Sequence, residues 1–600
     1  MKKVFLWLVV ISMIAVFSLA GCKEAAAEEE AAPPAEEEAV EEAAPAEEAA
    51  LEIPLAFSYD PDMAKAILED AGYVDTDGDG FVEAPDGSKI ELTVTCPFGW
   101  TDWMEAISVI AQSAQAVGIN LVDETPDYGA WNDALVGGTF HSTLNNWAML
   151  SNTPWTAYNL MFRHPIQETM GSGNFGRYDN PEIFDLVDQL AATPMDDLAT
   201  MQDICEQIQT IHLTEMPMIP LWYNGLWAQF SDAVWTNWPT SAEDTPNTLP
   251  STWNGYWQMG GLMTLTTLEL QEGVEPGTGT YPRNETLYVS GAAWGAFSDL
   301  NPFITWSKAN STGTCGLLYE SPFLYDPLAD ELIPWLAESG EWTDDDTYVM
   351  KIREGIKWTD GQTLDANDVK FTYELGQQYP AIWYSPMWNY LDEIVLVDDY
   401  TLEFNFTDPL YQEFDNNLYN IFIVPEHIWA TRTEEEITAG ANTDPTPVGS
   451  GAYMWDAAGM GPDRNVWIRN ENWWAKDLLG LEVAPKRIVD IRFTSNNVAL
   501  GSILKGEVDL SNNFLPGVAE LVDKGYIHTY YPEAPYMMAA NTAILFLNTT
   551  IKPMDDPAFR KALAFAINTD DIVNIAYAGL VSASDPTGLM PHLDKYVMIK

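Results

Sequence analysis

Residues 348–374 have the sequence YVMKIREGIKWTDGQTLDANDVKFTYE, and this stretch decides the expected fold. Apolar and polar side chains alternate over 348–353, which predicts a β-strand followed by Gly-containing turns. Asp365, with Asp368 three residues later, is typical of a helix start and predicts a helix over 369–376. A strand and a helix in such close succession indicate an α/β protein.

The same interleaving continues toward the N-terminus. The spacing of apolar residues predicts helices over 61–71 and 103–117. Strands are predicted over 89–95 and 119–122. With 600 residues the chain is too long for one core, so layered α/β lobes are expected.

The first 22 residues predict a lipoprotein signal peptide. A short basic start precedes an apolar run over 4–20, which is too short to span a membrane. The run ends in Leu19-Ala20-Gly21-Cys22, which is similar to a bacterial lipobox and implies lipidation of Cys22. The alternative is an ordinary secretory signal with an accidental Cys. No later segment is predicted to span a membrane, so Cys22 would be the only anchor.

Two segments are predicted to be connections and not helices or strands. Residues 23–54 are rich in Glu, Ala and Pro and predict a disordered tether. Residues 271–283 (QEGVEPGTGTYPR) have no periodicity and predict a linker between segments 55–270 and 284–600.

The charge of the chain excludes some partners. The sequence has 90 Asp and Glu against 27 Lys and Arg, a net charge of −63, which disfavours nucleic acids and broad contact with anionic lipid. Apart from Cys22 there are three widely spaced cysteines, Cys96, Cys205 and Cys315, for which buried free thiols are expected.

Several motifs carry a family resemblance. Residues 348–374 resemble the signature region of extracellular solute-binding proteins of the peptide-binding (oligopeptide, dipeptide, nickel) type. Residues 447–453 (PVGSGAY), 559–572 (FRKALAFAINTDDI) and 59–80 are similar to other parts of that family. The resemblance implies the two-lobed periplasmic-binding-protein fold, type II, in its large peptide-binding variant. It also implies that the protein delivers its ligand to the permease and ATPase of an ABC importer.

The order of the family-like segments is unusual. Residues 284–600 resemble the N-terminal part of the family, and 55–270 resemble its C-terminal part. A circular permutation is therefore expected, because permutation at exposed loops is tolerated. A fragment of a fused tandem pair, or an assembly error, is the alternative.

Within the family, one branch is the most similar. Residues 97–103 (PFGWTDW), 168–181, 217–238 and 496–517 resemble the branch that carries β-linked, cello-oligosaccharide-like sugars. The family's peptide carriers have an Asp shortly after a Trp, whereas the matching stretch here, 145–150 (NNWAML), has no carboxylate. A peptide amine would lack its partner there, although Asp102 or Asp127 remains an alternative anchor.

Trp, Tyr and Asn are the residue types that bind neutral sugars. Aromatic rings stack on the apolar faces of a sugar, and amides bond its hydroxyls. The chain has 24 Trp, 26 Tyr and 23 Phe, an unusual share of Trp. The candidate ligand-binding residues, chosen for their place in family-like segments, are Trp100, Asn146, Trp147, Tyr223, Asn224, Trp227, Trp294, Asn301, Trp306, Asn513, Tyr536 and Asn541.

One acidic loop resembles an EF-hand calcium site. Asp75, Asp77 and Asp79 stand at loop positions 1, 3 and 5, with Gly at 6, and Glu83 and Asp86 at 9 and 12. Asp in place of Glu at position 12 weakens the pattern, and an ion-free acidic turn is the alternative. Calcium here would be structural, and no other cofactor is expected.

The sequence predicts a monomeric, lipid-anchored binding protein on the periplasmic or extracellular face of a bacterial membrane. Its ligand would be a β-linked oligosaccharide, and it would not be an enzyme, because no Gly-x-Ser-x-Gly, His-Glu-x-x-His or phosphate-binding motif occurs. The alternatives are an oligopeptide carrier, and a secreted glycoside hydrolase or polysaccharide adhesin.

Overall fold

The structure, a computed structural model, describes residues 51–241, 248–251, 259–291, 300–303, 313–438 and 446–600; within 147–149 only the backbone is described. The predicted signal peptide, Cys22 and most of the tether lie outside the described residues. Residues 51–600 form one compact unit of mixed α/β structure.

No helix of the described part is long and apolar enough to cross a membrane. The helices are α1 Pro61–Asp70, α2 Thr101–Ala116, α3 Tyr128–Gly137, α4 Pro154–Met161, α5 Pro181–Ala191, α6 Leu198–Glu215, α7 Met259–Thr267, α8 Ala366–Gln378, α9 Tyr411–Asn420, α10 Glu426–Trp429, α11 Glu434–Thr438, α12 Trp474–Leu479, α13 Asn496–Leu504, α14 Val518–Asp523, α15 Pro557–Ala566 and α16 Thr569–Asp571. The three helices that the sequence predicts, α1, α2 and α8, begin within three residues of their predicted starts.

The strands of the described part differ widely in length, from two residues to nine in Ala539–Leu547. They are β1 Leu92–Thr95, β2 Leu121–Glu124, β3 Ser142–Met149, β4 Met218–Gly225, β5 Gln229–Phe230, β6 Trp235–Thr236, β7 Glu269–Leu270, β8 Thr286–Ser290, β9 Phe323–Asp326, β10 Glu331–Pro334, β11 Ala337–Trp342, β12 Thr347–Ile352, β13 Leu391–Asp398, β14 Thr401–Phe406, β15 Tyr453–Trp455, β16 Arg464–Arg469, β17 Arg487–Ile491, β18 Leu510–Ser511, β19 His528–Thr529 and β20 Ala539–Leu547.

Four helices start with the same local chemistry. A capping side chain accepts backbone N–H bonds and a proline occupies the next position, in Asp60-Pro61, Thr153-Pro154, Asn180-Pro181 and Asp556-Pro557. The cap satisfies N–H groups that the helix leaves unpaired, and proline at the first position has no N–H to leave unpaired. These helix starts are therefore encoded within a few residues.

The deciding stretch folds as predicted. It forms β12 and then α8, and the Asp365 side chain accepts a bond from Asn367 N. The Asp368 side chain in turn accepts from Asp365 N at 3.2 Å, which completes a capping box.

Two predicted strands are shifted in the structure. The strand expected over 89–95 begins only at Leu92, because Lys89 forms an isolated bridge with Glu83 instead of joining the sheet. The strand expected over 119–122 is Leu121–Glu124, because Ile119 N donates to Ala114 O and still belongs to the end of α2.

The first lobe is built on a five-stranded sheet in the order β2-β1-β3-β20-β4. Strand β20 is antiparallel to both β3 and β4, so a strand from the end of the chain lies between two from its first half. Helices α2, α4, α5, α6 and α15 pack around this sheet and form a continuous hydrophobic core with it.

The second lobe has its own hydrophobic core and two larger sheets. Its seven-stranded sheet has the order β15-β16-β17-β8-β18-β5-β19, and its four-stranded sheet the order β11-β12-β14-β13. Strand β8 is parallel to β17 and β18, whereas β5 is antiparallel to both of its neighbours. The expected two-lobed α/β architecture is confirmed.

The three described cysteines, Cys96, Cys205 and Cys315, are buried and unpaired, as predicted. Burial raises the pKa of each thiol, so these side chains behave as small apolar groups.

Candidate ligand-binding site

The chain crosses between the lobes in adjacent segments. Strand β4 continues into β5 through 226–228, and β19 continues into β20 through 530–538. Leu226 N donates to Met538 O at 2.8 Å, so the two crossings run side by side. The strand ends next to them lie at the junction of the lobes, and strand ends at such junctions are a common place for ligands in α/β proteins.

Two predicted site residues meet at this junction. Asn224 on β4 and Asn541 on β20 are directly opposite each other in the five-stranded sheet, and both are buried. The Oδ1 atom of each is buried with no hydrogen-bond partner among the described residues. An unmet buried acceptor costs about 1–3 kcal/mol, so this pair has unused hydrogen-bonding capacity.

A third amide with unused capacity begins the next strand. Gln229 is the first residue of β5 and stands between Ser511 of β18 and Thr529 of β19. Its side chain is fully buried, and neither Oε1 nor Nε2 bonds any described residue. The sequence motifs did not identify Gln229 as a candidate. Its position at the junction becomes visible only from the pairing of β5 with β18 and β19.

Hydroxyls and amides gather where the parallel strands β8 and β18 end. Ser290 Oγ lies 3.2 Å from both Ser511 Oγ and Asn513 Oδ1. Gly291 follows with φ +84°, and a Cβ there would come within 2.5 Å of Asn512. The backbone is therefore packed tightly at this strand end. We call Asn224, Gln229, Ser290, Ser511, Asn513 and Asn541 the junction set; none of them carries a charge.

Strand β3 adds further amides. Asn145 is buried, and its Oδ1 accepts a bond from Asn146 N at 2.9 Å. Asn146 is opposite Ala543 of β20, beside the strand that carries Asn541. Trp147 follows on the same strand, and its side chain lies outside the described part of the chain.

Trp227 belongs to an aromatic cluster beside the crossing. Its ring is 5.0 Å from Phe514 and 6.2 Å from Tyr577, nearly parallel to the latter. Tyr577 Oη donates to Asp102 Oδ2, and Asn496 Nδ2 donates to Asp102 Oδ1, both at 3.1 Å. Burial raises the pKa of Asp102 to about 6. This network fixes α2 and α13 together beside the crossing strand.

Trp100 lies in a second aromatic cluster, on the first lobe. Its ring centroid is 4.8 Å from Trp103, 5.9 Å from Trp131 and 6.1 Å from Tyr128, and the side chain keeps partial exposure. Gly99 before it packs so closely that a Cβ would lie 2.7 Å from Thr494 O. Trp100 therefore packs against α2 and α3 of the first lobe.

The side chains of two other predicted residues are occupied by bonds within the protein, and a third residue is buried in a turn. Tyr223 Oη donates to Leu589 O and accepts from Asp585 N, both at 2.9 Å. Asn301 Nδ2 donates to Ile437 O at 2.7 Å. Tyr536 is buried in the turn before β20, at φ +67°. Trp294 and Trp306 lie outside the described residues.

Part of the tryptophan content has a structural role in the second lobe. Trp335, Trp473 and Trp474 donate their indole N–H groups to the fully buried Glu320 carboxyl, at 3.0, 3.2 and 2.8 Å. Burial raises the pKa of Glu320. The abundance of tryptophan is therefore not by itself a measure of ligand contacts.

The acidic loop keeps three of its five predicted calcium ligands together. Carboxylate oxygens of Asp75, Asp77 and Asp79 lie within 4.8 Å of one another, and Lys89 Nζ is 2.6 Å from Asp77 and 2.7 Å from Asp79. Glu83 is buried and accepts bonds from the backbone and hydroxyl of one neighbouring threonine. Asp86 accepts hydrogen bonds from the backbone N–H and the hydroxyl of Ser88. The calcium site stays a prediction.

Comparison with known proteins identifies a family profile and a solved structure that are similar to this chain. A family profile, "Bacterial extracellular solute-binding proteins, family 5 Middle", matches residues 23–168 and 331–597. A Thermotoga maritima oligopeptide ABC transporter periplasmic binding protein, solved with mannohexaose bound, is 48% identical, covering 52% of this chain and 57% of that one, with a TM-score of 0.50.

Curated relatives are more distant. The peptidoglycan-binding protein YepA of Agrobacterium fabrum is 30% identical over 32% of each chain. The glutathione-binding protein GsiB of Pectobacterium atrosepticum is 25% identical over 51% of this chain and 56% of its own. The chain thus spans from about a third to just over half of the length of these relatives. The profile matches more than half of the chain, which therefore belongs to the bacterial extracellular solute-binding proteins of family 5, a family of binding proteins and not of enzymes.

Proposed function

We propose that the protein is the solute-binding component of an ABC importer and holds a neutral, β-linked oligosaccharide at the junction of its lobes. The single observation that carries this proposal is the unmet hydrogen-bonding capacity of Asn224, Gln229 and Asn541. Sugar hydroxyls both donate and accept, so they can satisfy amide oxygens and nitrogens together. Lobe closure around the ligand would present a closed form to the permease.

The charge of the junction set favours a neutral ligand. Its members are amides and hydroxyls, whereas a free peptide brings a charged amine and a charged carboxylate. A charge buried without a partner costs far more than a buried neutral group. The mannohexaose bound by the Thermotoga maritima protein is an oligosaccharide, which supports the same ligand class.

An oligopeptide is the second candidate, because several curated relatives are named as putative ABC transporter peptide-binding proteins. Of the two anchors open to a peptide amine, Asp102 is already bonded to Tyr577 and Asn496. Asp127 caps α3 through bonds from Gly129 N and Ala130 N. Asp102 has both oxygens bonded and Asp127 is an exposed helix cap, so the sugar is the better candidate.

Three further features complete the proposal. The chain would be exported and held at the membrane by lipid on Cys22, and would act as a monomer. The body would be a circular permutant of the family fold, in which segments 284–600 and 55–270 together form the two lobes. Strand β20 of segment 284–600 lies between β3 and β4 of segment 55–270. This supports the permutation, because both segments then contribute to one sheet.

Isothermal titration calorimetry tests the ligand class. We expect micromolar or tighter binding of cello-oligosaccharides or of mannohexaose, and no heat from mixed tri- to pentapeptides. Laminari-oligosaccharides test the linkage. Peptide binding without sugar binding would replace the proposal with the oligopeptide carrier.

A variant pair tests the site. Asn541→Leu should weaken oligosaccharide binding about 5- to 30-fold, since a lost hydrogen bond in a buried site is worth about 1–2 kcal/mol. Asn367→Ala, at an exposed position on α8, is the matched control and should bind like the wild type. Equal affinity of Asn541→Leu and the control would place the ligand elsewhere.

A further inference from the structure

The lobes also meet away from the junction, where α9 lies against α4 and α5. Helix α9 buries Phe414 and Leu418 in the second core. Helix α4 buries Trp155 and Tyr158 in the first core. Each helix is thus anchored in its own lobe, and the contact between them holds the two lobes together without a chain crossing.

This contact is polar apart from Leu410 at the start of α9, which packs against both cores. Three side-chain hydrogen bonds cross it, from Asn152 Nδ2 to Asp415 Oδ2, from Thr156 Oγ1 to Asn416 Oδ1 at 3.4 Å, and from Gln412 Nε2 to Thr193 O at 3.4 Å. Polar contacts between lobes lose little when they part, because water replaces the bonds. The contact therefore has the character of a reversible one.

Two carboxyl groups of α9, those of Glu413 and Asp415, are partly buried at this contact. Burial raises the pKa of Glu413 to about 7, with a smaller rise from Asp188 of α5 and an opposing effect of Arg163. Burial raises the pKa of Asp415 to about 6, with the hydrogen bond from Asn152 opposing it. Both groups hold a proton at a pH where exposed carboxyls are ionised.

The other titratable groups near this contact are tyrosines and one histidine. Tyr390 faces Glu413 from the second lobe, and Tyr348 and Tyr419 face Asp415 from the same side; burial raises the pKa of all three, so they stay neutral. His164 lies 3.3 Å from Asp188, and both belong to the first lobe. That pair therefore stays together whether the lobes are closed or parted.

We propose that α9 and α4–α5 form a latch whose closing is coupled to proton uptake by Glu413 and Asp415, so that the lobes close more readily in acidic surroundings. When the lobes part, both carboxyl groups return to water and release their protons. Closing therefore takes up protons, and by linkage a lower pH favours the closed form.

The size of the effect follows from the same linkage. Each unit by which closing raises a pKa shifts the closure equilibrium about tenfold across the pH range between the open and closed values. Asp415 alone is expected to change the equilibrium by at least about tenfold between pH 8 and pH 5, and Glu413 acts in the same direction.

Small-angle X-ray scattering of the ligand-free protein tests the latch without reference to any ligand. We expect the radius of gyration to fall as the pH is lowered from 8 to 5. In Glu413→Gln/Asp415→Asn the two groups are permanently neutral, so the radius should stay at its low-pH value throughout. Glu520→Gln, on the exposed face of α14, is the control and should follow the wild type.

Each outcome decides the question. A wild-type radius that does not change with pH overturns the proposal, as does a double variant that changes as much as the wild type. If the double variant does not fold, Asp415→Asn alone is measured, and a change equal to that of the wild type overturns the proposal. Failure of sugar binding would leave these results unaffected, so the latch and the proposed ligand are tested separately.

Discussion

Two fully buried glutamines give a sharp test of the reasoning about the junction. Gln229 of β5 has no partner for either amide atom among the described residues. Gln209 of α6 is equally buried. Its amide makes four bonds, from Nε2 to Tyr158 Oη and Tyr596 O and to Oε1 from Met598 N and Ile599 N, at 2.7–3.1 Å.

The same substitution should have opposite effects at these two positions. Gln229→Met removes an amide with unmet bonds, a gain of about 1–3 kcal/mol, against a packing loss of up to about 1.5 kcal/mol. A net gain of about 1 kcal/mol is expected. Gln209→Met loses four bonds of about 1 kcal/mol each and leaves their partners unpaired, so a loss of about 4 kcal/mol or more is expected.

Chemical denaturation at pH 7 without ligand measures both effects. The free energy of unfolding should rise slightly for Gln229→Met and fall steeply for Gln209→Met. Oligosaccharide affinity should fall for Gln229→Met although the protein is no less stable, which is the pattern of a residue kept for function. If Gln229→Met lost as much stability as Gln209→Met, the amide would have protein partners in solution and the reasoning about the junction would be refuted.

Three further outcomes are expected. Glu320→Leu should lower the free energy of unfolding by about 3 kcal/mol or more, since three buried indole N–H groups lose their acceptor; an unchanged urea midpoint contradicts this. The wild type should lose stability as the pH rises from about 4 to about 6, because folding raises the pKa of Asp102 to about 6; Asp102→Asn should lose that part of the slope. The melting temperature should be higher in calcium than in EGTA, and Asp77→Asn should abolish this difference. Equal melting curves of the wild type in calcium and in EGTA would contradict the predicted calcium site.

The elements that sequence predicts well are those encoded locally. The start of α8 depends on Asp365 and Asp368, three residues apart, and the start of α1 on Asp60 and Pro61. A strand boundary depends on its partner instead. Leu92 begins β1 because Leu121 of β2 pairs with it, and no local pattern marks that residue.

The candidate site shows the same limit more strongly. The pairing of Asn224 with Asn541 joins positions more than 300 residues apart, and both were candidates because they stand in family-like segments. Gln229 was missed because its strand has only two residues. Its position at the junction depends on pairing with the distant strands β18 and β19. Composition also cannot separate a stacking tryptophan from one that donates to Glu320, since that carboxyl gathers donors from distant segments.

The junction and the latch together predict an unusual pH dependence of ligand affinity. A neutral oligosaccharide has no group that titrates between pH 5 and 8, so any change in its affinity must come from the protein. If closing takes up protons at Glu413 and Asp415, affinity should rise about tenfold or more as the pH falls from 8 to 5, provided that the open form dominates at pH 8. In Glu413→Gln/Asp415→Asn the affinity should be high at both values. A sugar affinity that is flat with pH in the wild type would mean that ligand binding and the latch are independent.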